Sequence, residues 1–134
     1  MTIEALQRIC RAFPGVTEDI KWGVDLAFCV GGKMFCVVNT EPPHPMSFKC
    51  TPDDFGELVE RPGLIPAPYL ARAMWVQERE LGEALDRREL ERLLRTAYEL
   101  VLAKLPKRAR PGAAARPAPA RSRRVPAATR GRRR

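Results

Sequence analysis

The chain has one histidine, His44, and only two serines, Ser47 and Ser122. That scarcity leaves little room for nucleophilic catalysis. A Ser-His-Asp arrangement would have to pair Ser47 with His44, three residues away. A Cys-His pair would have to use the same histidine, inside the proline-rich loop Pro42-Pro-His-Pro45. The four cysteines (Cys10, Cys29, Cys36 and Cys50) include no CxxC pair, and each sits in an apolar stretch. Reduced core thiols are therefore expected, not a disulfide or zinc framework. Histidine, cysteine and acidic residues nowhere recur at metal-ligand spacing, so no metal is expected. A phosphate-cradling glycine motif is also lacking, and no cofactor is expected. The start, Met1-Thr-Ile-Glu4, shows neither the basic nor the apolar segment of a secretion signal. No apolar run approaches the ~18 residues of a membrane span. The expectation is a cytoplasmic protein that is not an enzyme.

Acidic residues are missing altogether from Lys107 to Arg134, where eleven side chains are basic. Met1 to Pro106 hold 13 basic and 16 acidic residues, so the net charge of +8 belongs to the tail and the body is slightly negative. A nucleic-acid argument must therefore be made separately for each part. The tail is built of Ala, Pro, Arg and Gly, has almost nothing apolar to bury, and is expected to be disordered. Its densest clusters are Arg121, Arg123 and Arg124, then Arg130, Arg132, Arg133 and Arg134. Arginine suits phosphates and narrow minor grooves. Arg130-Gly-Arg132 resembles the core of an AT-hook, with Arg133 where proline would follow. Binding to DNA, or to RNA, would be electrostatic and without sequence preference. The same composition is also what GC-rich codons produce, and both explanations stand.

What is present in residues 1–106 reads as one α+β domain. About 105 residues can bury roughly two thirds of their unfolded surface. Thr2 can cap a helix with Ile3, Leu6, Cys10 and Phe13 on one face, ended by Pro14-Gly15. A short extended piece near Ile20 to Trp22 follows. Gly31-Gly32 between two apolar runs predicts a tight hairpin. A two-residue turn would set Val30 opposite Lys33, Phe28 opposite Phe35 and Leu26 opposite Val37. One face then carries Leu26, Phe28, Val30, Phe35 and Val37 toward the helices. The other carries Ala27, Cys29, Met34, Cys36 and Val38, a small apolar face left open for a partner, for self-association, or for nothing. Met46 to Cys50 reads as a third strand, with Ser47 and Lys49 opposite Met46 and Phe48. Thr51-Pro-Asp-Asp54 opens a second helix. Prolines 62, 66 and 68 mark a loop, and Ala73 to Arg79 can form a strand around Trp75. Asp86-Arg-Arg-Glu89 is a capping box opening a helix whose apolar stripe runs from Leu90 to Leu105. Two layers result, an antiparallel sheet with helices on one face in the order α-β3-α-β2-α.

Among body residues, Lys49, Tyr69, Arg72 and Trp75 form the best candidate site, with Trp22 nearby in pattern. Aromatic rings beside cations suit base stacking or an anionic ligand. The same rings also suit core and lid packing with solvated cations at the rim.

Five segments, in order, resemble the MmcQ/YjbR-like family: Phe13-Pro-Gly-Val-Thr-Glu-Asp19, Val30-Gly-Gly-Lys-Met-Phe35, Ser47-Phe-Lys-Cys50, Pro66-Ala-Pro-Tyr-Leu70 with Trp75, and Tyr98-Glu-Leu-Val-Leu-Ala-Lys-Leu-Pro106. The resemblance spans about residues 3–106 and excludes the tail. It implies a bacterial protein with a CyaY-like or secretion-chaperone-like fold. It also implies DNA binding, a description resting largely on fold analogy. The segment before the tryptophan, Arg72-Ala-Met-Trp75, is less polar and basic than is usual for that family. The expected function is non-enzymatic DNA binding driven by the tail, with a protein-interaction or chaperone-like module on the open sheet face as the alternative.

Overall fold

A computed structural model describes residues 1–111. The seven tail arginines singled out above lie outside those residues.

Thr2 accepts the Ala5 N–H at 3.0 Å and starts α1 (Ile3–Arg11), which buries Leu6, Ile9 and Cys10. The chain turns at Pro14-Gly15 into β1 (Val16–Lys21), then β2 (Asp25–Val30), β3 (Lys33–Asn39) and β4 (Met46–Lys49). The extended piece expected near Ile20 is thus a full strand, and four strands precede the second helix. Thr51 caps α2 (Pro52–Leu58) by accepting from Asp54 N at 3.1 Å. Next come β5 (Leu64–Pro66), a 3-10 turn at Ala71–Ala73 and β6 (Trp75–Glu78). Asp86 accepts the Glu89 N–H at 2.8 Å and opens α3 (Arg87–Ala103). Each start has its own side-chain cap because the first turn of a helix leaves backbone donors unpaired.

The six strands form one antiparallel sheet in the order β1-β2-β3-β4-β6-β5. The long helix α3 lies across β2, β3 and β4, α1 beside β1, and α2 beside β5 and β6. Helices and one sheet face share a single core in which Leu6, Phe28, Phe35, Phe48, Leu90 and Leu94 are fully buried. The two-layer α+β expectation is met. Packing runs slightly past Pro106: Lys107–Ala109 form a 3-10 turn, and the Arg110 guanidinium donates to the Ala103 carbonyl at 3.1 Å.

The hairpin register differs from the expected one. Val30 pairs with Lys33 and Cys29 with Met34, but Phe28 then pairs with Cys36, Ala27 with Val37 and Leu26 with Val38. Phe35 is the extra residue of a β-bulge. Phe35 and Cys36 therefore both reach the core, Val38 joins them, and Val37 moves to the opposite face. The cause lies in the residues. Cys36, Val37 and Val38 are all apolar, so alternation cannot distinguish two registers one residue apart. The bulge lets the adjacent residues Phe35 and Cys36 both face the core.

Candidate functional site

The face of the sheet away from the helices carries Ser47 and Lys49 of β4, Trp75 and Gln77 of β6, and Met34 and Val37 of β3, by strand alternation and the bulge. This face is not flat. Pro68, Tyr69 and Leu70 wall one side of a cleft of about 490 Å³ whose floor includes Met34, Val37 and Ser47. Of the open apolar face expected from the sequence only Met34 lines this cleft; Cys36 and Val38 belong to the core instead, and Ala27 and Cys29 are buried.

Lys49, Trp75 and Tyr69 of the predicted constellation fall on this side, with Arg72 on the 3-10 turn between Tyr69 and Trp75, and their roles diverge. Lys49 and Trp75 are cross-strand partners. Trp75 is only 5% exposed, so its ring has no open face for stacking. The Lys49 ammonium donates to the Ala73 carbonyl at 3.0 Å. Its pKa is lowered, first by burial and then by repulsion from Lys104. Arg72 is exposed on the 3-10 turn, and Tyr69 is fully exposed. The cleft takes its aromatic character from Tyr69 and from Trp22, which is 72% exposed in the β1–β2 turn. Neither Lys49 nor Arg72 lines it.

All four cysteines are buried and free. Burial pushes Cys50 up to about 11 and raises Cys29 and Cys36 as well. His44 Nδ1 lies 3.0 Å from the Asn39 carbonyl, to which it donates as Nδ1–H. Among the described residues no group of three His, Cys, Asp or Glu could hold a metal ion. No described helix is long and apolar enough to cross a membrane.

A second cleft, of about 530 Å³, lies on the helical layer between α1 and the first half of α3. Arg8, Arg87, Arg88, Arg92 and Arg95 line it, against one carboxylate, Glu91. All five arginines are exposed. Arg87 pairs with Glu91 at 3.2 Å and Arg92 with Asp54 at 3.7 Å. The Arg95 guanidinium sits 5.2 Å from the centre of the Phe13 ring. Arg8 and Arg88 have no ion-pair partner among the described residues. Neighbouring Arg11 chelates Glu18, whose carboxyl is held below its ordinary range mainly by that hydrogen bond. The charge balance of the body conceals this cleft. Its signal was nevertheless in the sequence, because Arg88, Arg92 and Arg95 follow i, i+4, i+7 and share one face of α3. Only the packing of α1 beside α3 adds Arg8 to them.

The fold has relatives among solved structures. A Deinococcus radiodurans protein with a DUF419 domain is similar at a TM-score of 0.70 and 26% identity, over 81% of this chain and 84% of that one. A Pseudomonas syringae protein is similar in fold at a TM-score of 0.64 and 16% identity, over 75% of this chain and 99% of that one. No curated protein matches. The YjbR family model matches residues 11–100, which include β1 through nearly all of α3. By that match, over more than half its length, the chain belongs to the YjbR family.

Proposed function

We propose that this protein binds nucleic acid without catalysing a reaction, holding phosphates in the arginine cleft between α1 and α3. The observation that carries this reading is the local charge of that cleft, lined by five guanidinium groups and one carboxylate, with Asp54 paired to Arg92, on a body that is slightly negative as a whole. Arg87 and Arg88 also occupy the first turn of α3, where the helix dipole disfavours cations by about 0.3–1 kcal/mol each. A bound phosphate offsets that cost through its attraction to the arginines. The basic stretch of residues 107–134 adds sequence-independent affinity. Lys49, Arg72 and Tyr69 on the sheet side contribute at most secondary contacts to the same polymer.

The test is duplex-DNA binding by the full chain across a salt series. Contact with ~5 phosphates predicts a log–log slope of about −4.5. Two variants divide the contributions. In one, Arg8→Ala and Arg88→Ala are combined. In the other, Arg121, Arg123, Arg124, Arg130, Arg132, Arg133 and Arg134 are replaced by serine. Each should weaken binding and flatten the slope, by about 1 per phosphate contact removed. Binding unchanged in the Arg8/Arg88 variant would remove the cleft from the reading and leave the tail alone. No binding by the full chain at low salt would end it.

A further inference from the structure

Independently of phosphate contact on the helical layer, we infer that the cleft on the opposite sheet face is a binding site for a planar aromatic cation, with Trp22 and Tyr69 as stacking rings and Asp25 as the counter-charge. The first observation is conformational. Trp22 has φ +53° and Tyr69 φ +67°, the left-handed region that bulky side chains rarely adopt. In the three-residue β1–β2 loop Gly23 follows Trp22, also at positive φ, a backbone conformation that favours Gly, Asn or Asp. A tryptophan at that position works against the local fold. Strain of this kind gathers at functional sites, where the surroundings over-determine it.

The second observation is exposure. These are the two most exposed large hydrophobic residues of the described chain, at 72% and 104%, and both line the same cleft. Rings held open to water on strained backbone gain nothing for folding, whereas they offer π faces to a ligand.

The third is charge. Among the described residues lining the cleft, Asp25 is the only acidic or basic one. It has no ion-pair partner among the described residues. Lys21, the cross-strand partner of Asp25, pairs instead with Asp19 at 3.4 Å, Lys49 is bound to the Ala73 carbonyl, and neither lysine lines the cleft. An anionic ligand would meet a carboxylate, with no cation among the residues lining the cleft to balance it. A cationic ring would meet the carboxylate and two electron-rich faces. Ser47 and Gln77, in contact at 3.5 Å on the floor, supply neutral polar groups to orient it.

The experiment is titration calorimetry on the full chain with benzamidinium and its neutral isostere benzamide. Benzamidinium should bind saturably and at least ~10-fold more tightly than benzamide, a gap that one well-placed charge pair supplies. Asp25→Asn should bring the two affinities together. Trp22→Asn and Tyr69→Asn should each weaken benzamidinium ~10-fold or more without lowering Tm, because asparagine accepts positive φ. Four results would each overturn the proposal. The first is no saturable heat up to roughly 10 mM, a range in which fragment-sized ligands are still measurable. The second is benzamide binding as tightly as benzamidinium. The third is a fall in Tm in both asparagine variants, which makes the rings structural. The fourth is concentration-dependent dimerisation abolished by Trp22→Asn, which makes the face a contact between copies of the chain.

Discussion

The Glu78 carboxylate, fully buried at the end of β6, accepts the backbone N–H of Leu85 at 2.8 Å. It also accepts Ala84 N at 2.9 Å and Gly82 N at 3.0 Å. One core side chain thus shapes the whole connection from β6 to α3, from a sheet position whose neighbours are apolar. Arg61 adds a second tie to the same connection, donating to both oxygens of Glu89 at 2.6 and 3.0 Å and to the Ala84 carbonyl at 3.0 Å.

Glu78→Ala should therefore be among the most damaging single substitutions. It leaves three N–H groups without an acceptor and opens a cavity. A loss of about 3–5 kcal/mol is expected in urea unfolding. A loss under ~1 kcal/mol would mean that water reaches the 82–85 backbone and replaces the carboxylate.

The two glycines of the β2–β3 turn should respond unequally to alanine. Both have positive φ, +59° at Gly31 and +79° at Gly32, so each substitution carries the left-handed cost of about 1 kcal/mol. A methyl at Gly31 would also lie 2.5 Å from Leu105 Cδ1, whereas one at Gly32 meets open space. Gly31→Ala should cost about 1–2 kcal/mol more than Gly32→Ala. Equal midpoints in urea would show that Leu105 moves aside freely.

Thiol chemistry should be slow in the folded protein. With the Cys50 thiol at about 11, about one molecule in a thousand carries its thiolate at pH 8, and burial raises Cys36 above its ordinary value as well. A disulfide exchange reagent at pH 8 should modify the native chain far more slowly than the urea-unfolded chain, in which all four cysteines react. Rapid stoichiometric modification of Cys50 in the native chain would contradict its placement.

Acid should erase the contribution of Glu18. The hydrogen bond from Arg11, helped by one from Gln7, lowers the folded-state pKa of Glu18, with burial opposing. A depressed carboxyl stabilises above its unfolded value, about 4.3, and that contribution is lost as pH falls through the lower folded value. Wild type and Glu18→Gln should therefore differ in Tm at pH 7 and converge in more acidic solution. A difference that persists unchanged at pH 2 would assign the effect to packing instead of charge.

Much of the fold was legible in the residues because local signals agreed. Thr2, Thr51 and Asp86 act as helix caps, Gly31-Gly32 makes the hairpin turn, and Leu90, Leu93, Leu94, Ala97 and Val101 are buried along α3. The register of β3 was not legible, since an unbroken apolar run carries no alternation to read. The site was legible only in part. Residue types marked Tyr69, Lys49, Arg72 and Trp75 as one group; Lys49, Trp75 and Tyr69 lie on one side of the sheet, but they do not share one cleft. Which of those rings stays open depends on how residues 67–74 lie over the sheet, a tertiary fact. The arginines of α1 and α3 are 76 or more positions apart in the chain, and net charge averages them away.

Sequence alone determined the helices, the hairpin, the two-layer class and the separation of a cationic tail from a slightly negative body. Each follows from local propensity, hydrophobic period or simple counting. Tertiary structure decided what those rules cannot reach. It placed the bulge at Phe35, buried Trp75, left Trp22 and Tyr69 open on strained backbone, and assembled five arginines from two helices into one cleft. These features depend on which distant residues become neighbours, and core packing against the sheet sets that.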